Sequence, residues 1–458
     1  MTLEEIYQKL PIPLQQVAVN VEGWRTVRRN YGGNFYNFLQ EAEKRTFWPP
    51  EKIQFFRDQR LRTFVRHCYE TVPYYRRLFG KIKITPDDIK TLDDLKIIPI
   101  LTKEDVQDHF AEFISEAVPP RARILIKTSG TTGGAIHFYA TKNAIQEQWA
   151  TWWRFRRWHG IQLNMWCGQF TGNRIVPITQ KNPPYWRYDF VGKRIHFSPL
   201  HMTSENLFFY VKEIKRKKLG WLHGYPSLLF IFATFLLDNN INFDNQIKFI
   251  TIGGENLLAY QKETIKKAFG VYPLQHYGMS EAVANISECE FGNLHVDEDF
   301  AATEFIPITG SSYKVIGTNI TNEAFPFLRY DVQDIVAVDR NQVCRCGRPG
   351  RLVNNIDGRQ DDYIVLKNGN KLGGIDHFFK DIINVREIQL YQKVPGELIV
   401  KVVKGKDYLI QVENNLIREI RKRLGNHIDI TVEYVSSIPR NPNNKFRFIL
   451  SDIEDAKI

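Results

Sequence analysis

Residues 127–134 read Lys-Thr-Ser-Gly-Thr-Thr-Gly-Gly, and no other run constrains the chain as strongly. Ile124-Leu125-Ile126 before it has the composition of a strand end, and His137-Phe138-Tyr139-Ala140 after it that of a strand start. The run is therefore expected to be a loop between two strands. Glycines let a backbone approach a ligand closely. Successive N–H groups in such a loop form an anion-binding nest, to which hydroxyls and Lys127 add donors. Ser, Thr and Gly are also ordinary turn residues, so the run alone is compatible with a solvated turn. It is not a Walker loop, because it lacks the Gly-Lys-Ser/Thr ending and an immediately following helix.

The chain has 458 residues, enough for two or three domains. An apolar content of 43% and a charged content of 25% are those of a soluble globular protein. The longest apolar stretch, Leu228 to Leu237, is too short to span a bilayer and is expected to be a buried helix. Met-Thr-Leu-Glu-Glu at the start lacks a signal-peptide pattern, and five cysteines are too few for a disulfide scaffold, so a cytoplasmic location is expected. The net charge of +11 suits anionic ligands such as nucleotides. The cluster Lys212, Lys215, Arg216, Lys217 and Lys218 has the pattern of a solvated helix end, and no nucleic-acid-binding signature accompanies it.

The fold expected is a large α/β domain followed by a small α+β one joined by a hinge. Residues 1–95 are expected to be the helical part of the large domain, with Phe55, Leu61, Phe64, Val65 and Cys68 on the apolar face of one helix. Residues 96–360 alternate strand-like and helical runs, the pattern of an α/β core. Within it Phe249–Ile252 is expected as a buried strand entering the turn Gly253-Gly254-Glu255, and Ala259–Phe269 as a helix. Residues 361–458 are expected to form the small domain, with helices over 375–383 and 408–424 and strands over 387–392, 398–403 and 428–435. Gly358 and the charges beside it mark the hinge.

Four further pieces follow in order: Tyr277-Gly278-Met279-Ser280-Glu281, Arg329-Tyr330-Asp331-Val332-Gln333-Asp334, Gly358-Arg359-Gln360-Asp361-Asp362, and Lys445 in a late loop. Each alone is unremarkable as a turn, a core ring or a surface charge. Together, from about Trp48 to about Phe448, they resemble the adenylate-forming superfamily of acyl-CoA ligases. The nearest likeness is to the phenylacetate–CoA ligase branch with its capsule and surface-polysaccharide relatives. Val21-Glu22-Gly23-Trp24-Arg25 and Arg28-Arg29-Asn30-Tyr31-Gly32-Gly33 are similar to the polysaccharide-associated members.

The resemblance implies ATP held by its β- and γ-phosphates on Thr128, Ser129, Gly130, Thr131, Thr132 and Gly133. Gly253, Gly254 and Glu255 would line the adenine side, and Tyr277 would stack on the ring. Ser280 would face the α-phosphate and Glu281 would hold Mg2+, a hard cation suited to carboxylate and phosphate oxygens. Asp334 would accept from the ribose hydroxyls with Arg359 nearby, and Asp361 would be the pivot. Lys445 would bring charge to the α-phosphate as a carboxylate attacks it. A small carboxylic acid is the implied substrate and CoA the default acceptor. An amine or sugar hydroxyl as acceptor, or a non-catalytic nucleotide-binding relative, are the alternatives. Neither nucleic acid nor a membrane span is expected, and the oligomeric state is open, a homodimer included. The chain departs from the family at Gly134-Ala135-Ile136, where Pro-Lys is usual, at Val332-Gln333, where Thr-Gly is usual, and at Asn444, where Gly is usual.

Cys289 and His295 stand six apart, and Cys344-Arg345-Cys346 adds two thiols. Three Cys and one His make a closed tetrahedral zinc set, although two unrelated turns with free thiols fit the spacing equally well. Some phenylacetate–CoA ligase relatives carry such a zinc, so the resemblance implies structural Zn2+ here. Cys68 and Cys167 are expected to be buried apolar residues. Trp149, Trp152, Trp153, Phe155 and Trp158 are spaced for helix faces and are expected mainly in the core. Where they touch ligand they would shape an acyl pocket with His223, Tyr225 and Pro226.

Overall fold

The computed structural model describes residues 3–128, 136–338, 343–359, 364–367, 371–372, 385–405, 408, 410–424, 428–441 and 446–453. Ser129, Gly130, Thr131, Thr132, Gly133, Asp361, Lys445 and the helix expected over 375–383 lie outside the described residues, as does the side chain of Arg359. The contacts divide the chain into two compact units, one of Met1–Asn20, Met165–Leu274 and Asp357–Ile458, the other of Val21–Asn164 and Gln275–Ile356.

In the first unit, Trp221–Gly224 lies between Cys167–Phe170 and Phe249–Ile252, all parallel, with Arg194–Phe197 parallel to Cys167–Phe170 and Trp186–Asp189 antiparallel at the edge. Of these, Phe249–Ile252 is apolar except for Thr251 and is buried at three of its four residues, as suits a strand covered on both faces. Gly224 is required by a close approach, since a Cβ there would come within 2.2 Å of the Phe170 carbonyl oxygen. The helices Leu207–Arg216, Pro226–Asp238 and Ala259–Phe269 accompany the sheet, and Leu229, Phe232, Leu236 and Ile265 are buried in its core. The same unit contains a second sheet, in the order Asp429–Tyr434, Glu397–Lys404, Val385–Gln392, Ile449–Ser451. The helix Ile410–Leu424 buries Leu416 and Ile420 in the core that this sheet shares.

The second unit begins in helices, including Phe35–Lys44, Pro50–Thr71 and Lys142–Trp158. The strands Ile124–Lys127 and His137–Ala140 pair antiparallel, as the loop reading required. Three long strands, Ala301–Thr309, Ser312–Asn319 and Tyr330–Ala337, form an antiparallel meander. A second antiparallel set places Leu294–Val296 between Asn285–Glu288 and Leu352–Val353, with residues 276–278 on the far side of Asn285–Glu288.

One detail of the apolar pattern is corrected. Phe55 is 65% exposed, whereas Ile53, Arg57, Leu61, Phe64, Val65 and Cys68 are buried. The buried stripe of Pro50–Thr71 passes through 53, 57, 61, 64 and 68, and Phe55 lies two residues, or about 200° of helical rotation, from Ile53. Arg57 occupies a core-facing position because carboxylates meet it there. No helix among the described residues is long and apolar enough to cross a membrane.

Candidate functional site

The loop that opened the sequence argument is anchored at a defined base. The Thr128 backbone N–H donates to the Ile136 carbonyl at 3.0 Å, and the Ile136 N–H donates to Thr128 Oγ1 at 3.0 Å. With Lys127 paired to His137, these bonds close the loop into a narrow neck.

Tyr277 is the penultimate residue of the strand Pro273–Gly278, and Asp334 lies within Tyr330–Ala337. Although 57 residues apart, they meet, the Tyr277 hydroxyl donating to Asp334 Oδ2 at 2.7 Å. Gln333 adopts a φ of 60° beside it and donates its N–H to Asp331 Oδ1 at 2.9 Å. Asp331 also pairs with Lys314 at 3.0 Å. The turn after Tyr277 is held from below. Met279 O accepts from Gln148 at 2.6 Å, and the Glu281 carbonyl accepts from Asn319 at 3.0 Å. Ser280 is exposed and Glu281 half-buried.

Gly253, Gly254 and Glu255 follow Phe249–Ile252 in the other unit, with Gly254 at a φ of 80°. Glu255 Oε2 accepts the Ser227 N–H at 3.1 Å, and Oε1 accepts the Phe446 N–H at 2.7 Å. Ser227 is in the first turn of Pro226–Asp238, so the carboxylate sits where a helix N-terminus favours negative charge. It also ties that helix to the residue that follows Lys445 in the chain. Burial pushes the Glu255 carboxyl above its usual range, against the pull of these donors. His223 Nδ1 lies 3.1 Å from Thr251 O, and the Tyr225 N–H donates to Phe170 O at 2.9 Å, so both residues are fixed at strand ends. The aromatic run divides by burial. Trp153 and Phe155 are buried, whereas Trp149 and Trp152 are half-buried and pack 4.8 Å apart.

Cys289, His295, Cys344 and Cys346 come together, with one ligand atom from each within 4.8 Å of all the others. Cys289 Sγ and Cys344 Sγ are 3.7 Å apart, and Cys346 Sγ is 3.3 Å from His295 Nε2. His295 Nδ1 is 3.2 Å from the Pro349 carbonyl, an orientation that turns Nε2 toward the thiols. The donor set fits zinc. Burial pushes the Cys289 thiol up to about 12. At Cys344 burial acts in the same direction, but donors from Cys346 and Asn293 outweigh it and lower the thiol. A bound dication would favour the thiolate at both.

Asp297, Glu298 and Asp299 are buried charges that none of the expected site residues foreshadowed. Arg154 pairs with Asp297 at 2.7 Å and Asp299 at 2.8 Å, and Arg45 pairs with Asp299 at 2.7 Å. Arg57 and Arg351 hold Glu298 at 2.5 and 2.6 Å. Asp297 accepts from Asn285 and Ser287. Burial opposes ionisation of Asp299, yet Arg154 and Arg45 hold its carboxyl well below the usual range. The available signal was the run of three consecutive acids itself.

The family model of the CapK C-terminal domain matches residues 364–452. Protein CapK of Staphylococcus aureus is 26% identical, over 99% of this chain and 100% of that protein. Phenylacetate-coenzyme A ligase of Escherichia coli strain K12 is 25% identical, over 89% of this chain and 97% of that one. The solved structure of 2-hydroxyisobutyryl-CoA ligase in the postadenylation state, in complex with 2-HIB-AMP, superposes with a TM-score of 0.71 at 18% identity, covering 89% of this chain and 91% of that one. The chain is thus a homologue of CapK and of the phenylacetate-coenzyme A ligases, with the fold of the adenylate-forming CoA ligases, a large N-terminal α/β domain followed by a small C-terminal one.

Proposed function

We propose that the protein activates a carboxylic acid with ATP, releases pyrophosphate, and passes the acyl group from the acyl-adenylate to CoA. The observation that carries this reading is the 2.7 Å bond between Tyr277 and Asp334, which joins the ring and the carboxylate expected to hold adenosine. Homologues named as CoA ligases over most of the chain support it.

In this mechanism the substrate carboxylate oxygen attacks the α-phosphorus, the bond to the β-phosphate oxygen breaks, and pyrophosphate leaves. Residues 128–133 hold the β- and γ-phosphates through backbone N–H groups and hydroxyls. Gly253, Gly254 and Glu255 border the adenine, with Arg359 near the ribose and Ser280 facing the α-phosphate. Lys445 offsets charge developing on the α-phosphate oxygens. Glu281 would hold Mg2+, which neutralises phosphate charge when bound. In the second step the CoA sulfur attacks the acyl carbonyl, and AMP departs. The small domain, 361–458, would turn about Asp361 between the steps, because Lys445 must first be at the phosphate and the adenylate must then be open to its acceptor. Cys289, His295, Cys344 and Cys346 would hold one zinc that does no chemistry, since four protein ligands fill its positions. The supply of ATP and CoA makes the cytoplasm the expected compartment.

A second acceptor class is favoured by one observation, the match of the small domain to the CapK model over 364–452. On that reading the acyl group passes to an amine or hydroxyl of a surface-polysaccharide precursor. Incubation with ATP, Mg2+ and a panel of acids, with hydroxylamine as trap, tests the shared first step. Hydroxamate and AMP formation with one acid supports it, and ATP binding without AMP formation from any acid would indicate a nucleotide-binding relative. CoA added in place of hydroxylamine then decides the acceptor.

A further inference from the structure

In the first unit, the four-residue turn Phe190-Val191-Gly192-Lys193 joins the antiparallel strands Trp186–Asp189 and Arg194–Phe197. The turn is pre-formed. Asp189 Oδ1 accepts the Gly192 N–H at 2.7 Å, and Lys193 takes a φ of 55°. Its two apolar residues nevertheless project, Phe190 at 50% and Val191 at 43% exposure. The hairpin is fastened to the helix Leu207–Arg216, where the Tyr188 hydroxyl meets the Glu213 carboxylate and accepts from Arg216 at 2.7 Å. That helix exposes Phe208 and Phe209, at 50% and 40%, beside exposed Lys212, Lys215 and Arg216. Its single acid, Glu213, is buried and paired with Arg216. The Lys217 ammonium covers Tyr188 at 4.9 Å and Trp166 at 5.8 Å, and Lys193 approaches Trp166 at 5.5 Å.

We infer that this face, the hairpin tip with the exposed side of Leu207–Arg216, docks the protein on an anionic lipid bilayer. Phenylalanine and valine projecting among lysines suit the boundary between headgroups and acyl chains. The long lysine stems can lie along apolar surface while their ammonium groups reach lipid phosphates. The net charge of +11 adds attraction of the same sign. A single-stranded nucleic acid would need open ring faces on which bases could stack. Here Phe190 is stacked on Tyr188 at 5.4 Å with Trp166 at its edge, and Phe208 is packed against Phe235 at 4.9 Å. Both rings are thus already engaged by aromatic neighbours within the chain, which leaves less open face for a base and suits insertion between lipids better than base stacking.

Sedimentation of the full-length protein with vesicles of phosphatidylcholine, alone or mixed with phosphatidylglycerol, tests the inference. Binding is expected to the mixed vesicles only, and to be abolished in about 1 M salt, where screening acts within a few ångströms. Lys212→Glu with Lys215→Glu should lower the partition at least about tenfold. Phe190→Ser with Val191→Ser should lower it while the salt dependence persists. Lys81→Glu with Lys90→Glu changes the net charge equally at exposed sites of the second unit and should have little effect. All these positions are exposed, and unchanged circular dichroism certifies each fold. The inference fails if the unaltered protein does not sediment with mixed vesicles, or if the Lys81/Lys90 pair weakens binding as much as the patch pair. It also fails if a single-stranded oligonucleotide binds more tightly than vesicles and the Phe190/Val191 variant binds it undiminished.

Discussion

The second unit contains two polar clusters of opposite character. Around Arg154 each carboxylate of Asp297, Glu298 and Asp299 faces a guanidinium, and nearly all the group is withdrawn from water. Around Tyr277 and Asp334 the side chains are half-exposed, the neighbouring Ser280 is open to solvent, and the backbone adopts left-handed angles at Ala282, Arg329 and Gln333. A charge network completed within the chain binds segments together. A half-open edge with unusual backbone angles is where a fold can receive a ligand. The comparison therefore separates residues whose loss should unfold the protein from those whose loss should only silence it.

The largest effect expected is on the closed side. Arg154→Ala leaves Asp297 and Asp299 buried without their main partner and should destabilise the unit by about 3–5 kcal/mol, as read by denaturant unfolding. The pH dependence sharpens this. The Asp299 carboxyl is depressed in the folded state, so its contribution is present above the unfolded carboxylate value of about 3.9 and is lost as pH falls toward the folded value. The unaltered protein should lose stability on acidification through that window. The Arg154→Ala variant, where the depression is relieved, should lose less.

Lys445→Ala belongs to the opposite class. It should slow pyrophosphate release by about 10²–10³, the cost of removing one charge-stabilising group, with ATP binding and thermal stability retained. Wild-type pyrophosphate release would remove Lys445 from the proposed chemistry. The cysteine cluster tests the closed category by a different route. Freshly purified protein should contain one zinc per chain, and Cys344→Ser or a strong chelator should lower the melting temperature without a selective change in either half-reaction. Metal-free protein of undiminished stability would show that the four residues do not form a zinc site. The smallest effect is expected at the open edge. Tyr277→Phe removes one hydrogen bond to Asp334, worth about 1 kcal/mol. It should raise the ATP KM several-fold with no measurable stability loss. A stability loss matching that of Arg154→Ala would erase the distinction between the two clusters.

Much of the secondary structure was legible because local periodicity decides it. Phe249–Ile252 and Ala259–Phe269 form as an apolar run and an amphipathic stretch should. The strands and long helix of the small domain fall within a few residues of expectation. Phe55 failed because a hydrophobic residue outside the stripe can remain exposed, while Arg57 within it is buried by pairing with Glu298. The acid run 297–299 is visible as three consecutive acids, but its burial is not, since Arg154 and Arg45 stand more than 140 residues away in sequence and no local pattern marks them as its partners. The grouping of residues 1–20 with 165–274 was equally hidden. It depends on contacts such as Tyr188 N–H to Gln16 Oε1, 172 residues apart. Among the candidate site residues, the cysteine quartet could be grouped from its ligand types and does come together, whereas Tyr277 and Asp334 were given separate roles only by the resemblance and their bond was not foreseen. The part of Glu255 in tying Ser227 to Phe446 was not, because its partners are backbone N–H groups that any residue supplies.

The most direct test of the central claim is exchange of labelled pyrophosphate into ATP by the unaltered protein, with and without each acid of a broad panel. Formation of an acyl-adenylate predicts exchange that depends on one class of acid, with AMP as the nucleotide product once hydroxylamine draws the reaction forward. Acid-dependent cleavage of ATP to ADP and phosphate, with no pyrophosphate exchange, would contradict it.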